Sequence, residues 1–267
     1  MGNDSSKSKP GASTSSKASN VLASLKPGPS TAVIQRHLDT AKKSRSLTLK
    51  GMNLKAIPRE LGEVAPLLRS LDLSQNRITQ LPLFFGQFEL LKQLHLNGNA
   101  LTSLTDELGN LKKLEILILS NNDLSMLPET LVGCTNLTTL KVDGNHLTTF
   151  PTCLCLLPRL DIVDLSMNQI ESIPDEIGQI NASEINLNNN RLSTLNPAIA
   201  TARNLRVLRL ESNALPKQAF FKELLEDSQL SLISVQNNSF QEKDFQDLPG
   251  YEKYEERFTA LRRKGVY

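Results

Sequence analysis

The sequence predicts an α/β solenoid: short parallel strands stacked into one curved sheet on the concave side, short helical or irregular segments on the convex side, and a capping helix at each end. Three observations carry this expectation. A phrase of the form LxxLxLxxNxLxxLP, as in LRSLDLSQNRITQLP from Leu68 to Pro82, recurs along the chain. Its ninth position falls at Met52, Asn76, Asn99, Asn122, Asn145, Asn168, Asn190, Asn213 and Asn238, at intervals of 24, 23, 23, 23, 23, 22, 23 and 25 residues. Within each copy, two apolar residues flank one other side chain, the two-residue period of a strand with one buried face. A fixed period in this range marks units that cannot bury their apolar faces alone and must stack on one another.

The strand of each copy is read from such pairs as Leu71 and Leu73, Leu117 and Leu119, or Val163 and Leu165. At the ninth position the period breaks, and the chain must turn while its peptide groups are still near the interior. Those donors and acceptors need partners. An amide side chain offers two donors and an acceptor, so stacked asparagines are expected to bond the turning backbone of their own and adjacent copies.

This phrase is the signature of the leucine-rich repeat family, and the chain resembles it from roughly residue 44 to residue 240. Leu81-Pro82, Leu127-Pro128, Phe150-Pro151 and Ile173-Pro174 precede segments such as DELGNLKKL (Asp106 to Leu114) and DEIGQI (Asp175 to Ile180). In this it is similar to the intracellular 23-residue class found in Ras-associated scaffolds. Departures from the pattern are Met52 for the first Asn, Thr105 and Asn196 for Pro, Ala182 for the opening Leu, and loss of Leu-Pro at Lys217-Gln218.

An open stack needs covered ends. At the front, Ser30 or Thr31 is placed to cap a helix over 31–43 that puts Val33, Ile34, Leu38 and Ala41 on one face, with Lys42, Lys43 and Arg45 near its C-terminus, where cations suit the dipole. At the back, residues 241–267 include Tyr251, Tyr254, Phe258 and Leu261 at helical spacing, a set that would cover the ninth repeat. The division expected is therefore an arm over 1–30, a capping helix over 31–43, nine repeats over 44–240 with the first and last atypical, and a C-terminal cap over 241–267.

Thirty Lys and Arg balance 28 Asp and Glu, for a net charge of +2. A dedicated nucleic-acid binder usually shows a clustered basic stripe, so no nucleic acid is expected as partner. Arg262, Arg263 and Lys264 read as a solvated helix end. Three scattered thiols, Cys134, Cys153 and Cys155, suggest a reducing compartment. Cys153-Leu154-Cys155 has no His or Cys pair near it in sequence to complete a metal site, and convex packing is the expectation, with no metal and no cofactor. No apolar run reaches the about 18 residues that span a bilayer, and no hydrophobic signal core opens the chain, which points to the cytosol. Asn136-Leu137-Thr138 and Asn181-Ala182-Ser183 match glycosylation acceptors, read here as coincidences of an Asn-rich repeat.

The start, MGNDSS, fits N-myristoylation at Gly2, with Ser6 at the required place. One myristoyl chain binds a membrane with an association constant of only about 10⁴ M⁻¹, so anchoring needs a second signal. Lys7, Lys9, Lys17 and Lys26 are candidates, at roughly 1 kcal/mol each near an anionic leaflet. The Ser, Lys, Gly and Pro composition of Ser6 to Ser30 cannot bury an apolar core, and the arm is expected to be disordered. A reversible electrostatic tether to the cytosolic face of a membrane follows.

Residues between the buried strand positions line the concave wall. Position five runs Thr48, Asp72, His95, Ile118, Lys141, Asp164, Asn186, Arg209 and Ser234, and position three includes Ile116, Ile162 and Val207. At about 4.8 Å per strand the wall is roughly 38 Å long, the size of a protein surface. Ile116, Ile118 and Ile162, rimmed by His95, Lys141 and Asp164, have the apolar centre and polar edge of an interaction hot spot. Asp72, Asn186 and Arg209 extend the candidate protein-binding set. His37, His95 and His146 are far apart in register, and a His95–Asp72 cross-strand pair on a solvated face would be routine, so no catalytic residues are expected. A monomeric, non-catalytic scaffold for a protein partner is the first reading. A regulatory subunit clamping a phosphatase, small GTPase or other signalling enzyme is the second, and a soluble scaffold without lipid the third.

Overall fold

The computed structural model describes residues 27–263, with the side chain of Leu261 left out. Leucine, isoleucine or valine at the fourth position of every repeat fixes the sheet. Nine three-residue strands, β1 Ser46–Thr48, β2 Ser70–Asp72, β3 Gln93–His95, β4 Ile116–Ile118, β5 Thr139–Lys141, β6 Ile162–Asp164, β7 Glu184–Asn186, β8 Val207–Arg209 and β9 Leu232–Ser234, pair in parallel in sequence order. The register matches like with like, Leu47 opposite Leu71, Leu71 opposite Leu94, and so to Leu208 opposite Ile233. That row is fully or almost fully buried, as is the sixth-position row from Leu49 to Val235.

Three residues past the end of each strand stands a left-handed residue. Gly51, Gln75, Gly98, Asn121, Gly144, Met167, Asn189, Ser212 and Asn237, all at position eight, have φ between +55° and +68°. L-residues reach this region at a cost of about 1–2 kcal/mol each, lower for Gly and Asn. The cost recurs because the turn that redirects the chain off the sheet requires it.

The return path on the outer side runs through 3-10 turns of five residues, among them Leu83–Gln87, Asp106–Asn110, Glu129–Gly133, Thr152–Leu156 and Asp175–Gln179. Proline fixes the φ that starts most of them, at Pro82, Pro128, Pro151 and Pro174. Where Pro is replaced, a side-chain cap stands in: the Thr105 hydroxyl accepts from the Glu107 N–H at 3.4 Å and the Asn196 carbonyl from the Ala198 N–H at 2.9 Å. The loss of Leu-Pro at Lys217-Gln218 is a displacement, because Pro216, just after Leu215, starts the turn Lys217–Ala219. Neighbouring turns touch closely enough that a Cβ on Gly109 would collide with the Thr130 carbonyl and one on Gly133 with the Gly109 carbonyl. Cys134, Cys153 and Cys155 pack into this outer layer and are buried.

Helix α1, Thr31–Ser44, covers the front. The Ser30 hydroxyl accepts from the Val33 N–H at 3.4 Å, Ile34, Leu38 and Ala41 are buried, and left-handed Arg45 closes the C-terminus. At the back, a short helix α2, Lys222–Glu226, precedes β9, and α3, Tyr251–Arg263, closes the stack. Phe220, Phe245, Tyr251 and Tyr254 pack edge to face there, with centroids 5.2–5.8 Å apart.

At each end of the sheet a hydroxyl meets the edge strand's backbone. Ser44 Oγ accepts from the Ser46 N–H at 3.3 Å and donates to its carbonyl at 3.0 Å. Tyr254 Oη accepts from the Ile233 N–H at 2.9 Å. Arg257 donates to the carbonyls of Leu225, Glu226 and Leu230, and so caps the C-terminus of α2.

Candidate functional site: the concave wall

An asparagine ladder holds the wall to the rest of each repeat. Asn122 Oδ1 accepts from the Leu101 N–H of the preceding repeat at 3.1 Å. Its Nδ2 donates to the Leu119 carbonyl of its own repeat at 2.8 Å and to the Leu96 carbonyl of the preceding one at 3.1 Å. The same three-way pattern recurs at Asn76, Asn99, Asn145, Asn168, Asn190, Asn213 and Asn238. Met52, in the first repeat, packs against the core instead. With the turns pinned in this way, positions three and five of all nine strands stand on one side of one continuous sheet.

Exposure varies along that side. Ile162 is 38 % exposed, while Ile116 and Ile118 are half-buried and Thr139 stands between Ile116 and Ile162 in register. Val207, assigned to the wall from its position, is only 3 % exposed. Lys141 is exposed between Ile118 and Asp164, and His95 is half-buried beside Ile118. Asp72 lies opposite His95, but its carboxylate accepts from the Ser74 N–H at 2.9 Å.

Several polar members also serve the turn. Asp164 Oδ1 accepts from both the N–H and the hydroxyl of Ser166, at 3.1 and 2.7 Å, and Asn186 Oδ1 accepts from the Asn188 N–H at 3.0 Å. These are Asx turns, in which a short polar side chain imitates the backbone. Arg209 is paired with Glu184 at 3.0 Å, with both side chains about three-quarters buried. An Arg–carboxylate pair in that setting is held more firmly than an exposed one such as Lys92–Glu115. Gly2, Lys7, Lys9, Lys17 and Lys26 lie outside the described residues.

Burial pushes the thiol of Cys134 up to about 11 and those of Cys153 and Cys155 up to about 12, Glu129 adding to the effect at Cys153 and Glu176 at Cys155. They stay protonated at neutral pH and are not nucleophiles. Among the described residues no three His, Cys, Asp or Glu side chains gather to hold a metal. His146 approaches Asp123 at 3.5 Å on an exposed edge. The two glycosylation triplets carry a second amide ladder: Asn136 Nδ2 donates to the Lys112 carbonyl at 2.6 Å, Arg159 donates to Asn136 Oδ1 at 2.7 Å, and Asn181 and Asn204 repeat the arrangement.

The fold and the wall define a leucine-rich repeat solenoid. Residues 67–88 and 89–147 match family models described as leucine rich repeat. Among solved structures, a leucine-rich repeat protein of Leptospira interrogans is 27% identical over 84% of this chain and 63% of its own, with a TM-score of 0.66. The leucine-rich repeat ectodomain of the Arabidopsis thaliana receptor kinase GASSHO1/SCHENGEN3, solved with CASPARIAN STRIP INTEGRITY FACTOR 2, is 30% identical over 73% of this chain and 24% of its own, at a TM-score of 0.60. The LRIM1/APL1C complex contains a chain 26% identical over 72% of this one and 35% of that one, at 0.62. This chain therefore spans less than two thirds of each of these three.

Proposed function

We propose that the chain is a non-catalytic protein-interaction module whose concave wall holds a protein partner, carried to the cytosolic face of a membrane by myristate on Gly2. The observation that carries the first half is the wall itself: nine strands in one register put positions three and five on one side of the sheet, all but Val207 at least partly open, with Ile162 exposed at its middle and Lys141 and Asp164 beside it. Two of the similar solved structures are complexes, the receptor ectodomain with CASPARIAN STRIP INTEGRITY FACTOR 2 and LRIM1 with APL1C, and both support reading this surface as a docking face. The 23-residue spacing and the Leu-Pro phrases support the intracellular class.

The test for the wall is partner capture by the full chain carrying Ile118→Glu or Ile162→Glu. Each change places a charge where an apolar contact is expected, and capture should fall at least about tenfold while the melting temperature stays within a few degrees of the parent. Undiminished capture by both folded variants refutes the wall. The tether is tested separately by the mass of the N-terminal peptide from cells and by fractionation of Gly2→Ala. An unmodified peptide, or an unaltered membrane fraction, refutes it.

A further inference from the structure

The front edge of the sheet carries a second surface. Between α1 and β1 lies a groove of about 560 Å³ lined in part by Arg36, His37, Ser44, Ser46, Thr48 and Lys50. In a parallel ladder alternate residues face the same neighbour. The Arg45 carbonyl accepts from the Arg69 N–H of the next repeat, and the Leu49 and Gly51 N–H groups donate to Asp72 and Ser74, so these residues, with Leu47, face β2. Ser46, Thr48 and Lys50 therefore turn their peptide groups toward the groove. The Ser44 hydroxyl occupies those of Ser46. Among the described residues none bonds the peptide N–H or carbonyl of Thr48 or Lys50, which face the groove.

An unpaired edge is a template for another strand. The groove's charge selects which strand. Arg36, His37 and Lys50 line it, and among the described residues no carboxylate does. Asp39, the one acid of α1, is turned to the other side of the helix, accepting from Gln35 at 3.0 Å and lying 3.5 Å from Lys42. Among the described residues Arg36 and Lys50 are exposed and in no ion pair. The chain's own first 26 residues are a poor match, since Lys7, Lys9, Lys17 and Lys26 stand against the single acid Asp4. We propose that this edge receives an extended acidic segment of a partner protein, which adds a strand beside β1 through the peptide groups of Thr48 and Lys50 and places its carboxylates on Arg36, His37 and Lys50. The site lies at the front end of the wall, shares Ser46 and Thr48 with it, and does not depend on the apolar centre at Ile118 and Ile162.

The experiment is an amide-resolved titration of the full chain with two blocked hexapeptides, one alternating Glu and Thr and one alternating Lys and Thr. The acidic peptide should shift the Thr48 and Lys50 amides, saturate below about 1 mM, and weaken as salt is raised. Its affinity should fall by about tenfold or more when Arg36→Glu and Lys50→Glu are combined, with Arg36→Gln and Lys50→Gln as the substitute should the first pair disturb the fold. Equal binding of the basic peptide, shifts confined to strands β3 to β7, or no saturation by about 1 mM overturns the proposal. Slow exchange of the Thr48 and Lys50 amides in the free full chain would also overturn it, because the edge would then already be filled.

Discussion

Replacing Asn122 by alanine removes one rung of the asparagine ladder, and the structure fixes what is left unpaired. The Leu96 carbonyl still accepts from Asn99 Nδ2 and the Leu119 carbonyl from Asn145 Nδ2, at 2.8 and 3.1 Å. Only the Leu101 N–H loses its side-chain acceptor outright. Asn122 is 5 % exposed, so water does not readily take its place. One stranded buried donor costs about 1–3 kcal/mol, and lost packing of the amide raises Asn122→Ala to roughly 2–3 kcal/mol. Asn122→Asp sharpens the test. Its carboxylate keeps the acceptor for Leu101 but faces the Leu96 and Leu119 carbonyls with no hydrogen to give. The folded state then favours the protonated acid, whose pKa rises above that of the unfolded chain, so the defect is greatest at neutral pH and recedes as pH falls toward the ordinary carboxylate range. Urea denaturation of the full chain at pH 7 and pH 5 reads both effects. An Asn122→Ala protein within 0.5 kcal/mol of the parent, a threshold at the low end of a hydrogen bond's net worth, refutes the ladder as a source of stability.

Three further outcomes follow from the ends and the outer layer. Tyr254→Phe removes the hydroxyl that finishes β9 and should cost about 1–2 kcal/mol by denaturant midpoint. Burial pushes the Tyr254 phenol up to about 12, so the folded parent holds that proton more tightly than the unfolded chain and loses stability as pH climbs from about 10 to 12; the parent-minus-variant difference should shrink over that range, and a flat difference refutes it. Arg257→Lys cannot reach three carbonyls with one ammonium and should lower the melting temperature measurably, whereas an unchanged melt would mean that α2 needs no cap. Native protein at pH 8 should resist a thiol reagent at Cys134, Cys153 and Cys155, and all three should react in denaturant; rapid native labelling contradicts their burial.

Much of the fold was readable because the period is carried by buried residues, and burial admits few substitutes: Leu, Ile and Val fill the fourth position without exception. The alternation that places Ile118, Lys141 and Asp164 on the wall is equally local. Depth within the wall is not, since the exposure of Val207 depends on its neighbours across the sheet as well as on its own strand. Position eight hides its geometry for a related reason. Gly51, Asn121 and Asn189 hint at a left-handed turn, but Gln75, Met167 and Ser212 do so only weakly, and the repeat imposes the conformation whatever the side chain. The caps at Thr105 and Asn196 carried a usable signal, being residue types favoured at helix starts. Arg257 carried none, because its acceptors lie 27 to 32 residues earlier and meet it only after the end of the stack has closed.

The amide oxygens all point the same way along the stack, from each repeat toward the one before it. During synthesis the earlier unit therefore waits with a bare Leu or Ile N–H until the following asparagine leaves the ribosome, about 1–5 s later at 5–20 residues per second. Each repeat thus has a backbone donor that only its successor can satisfy, and the last of these, on Leu215, is met by Asn238, a short way before the sealing helix α3.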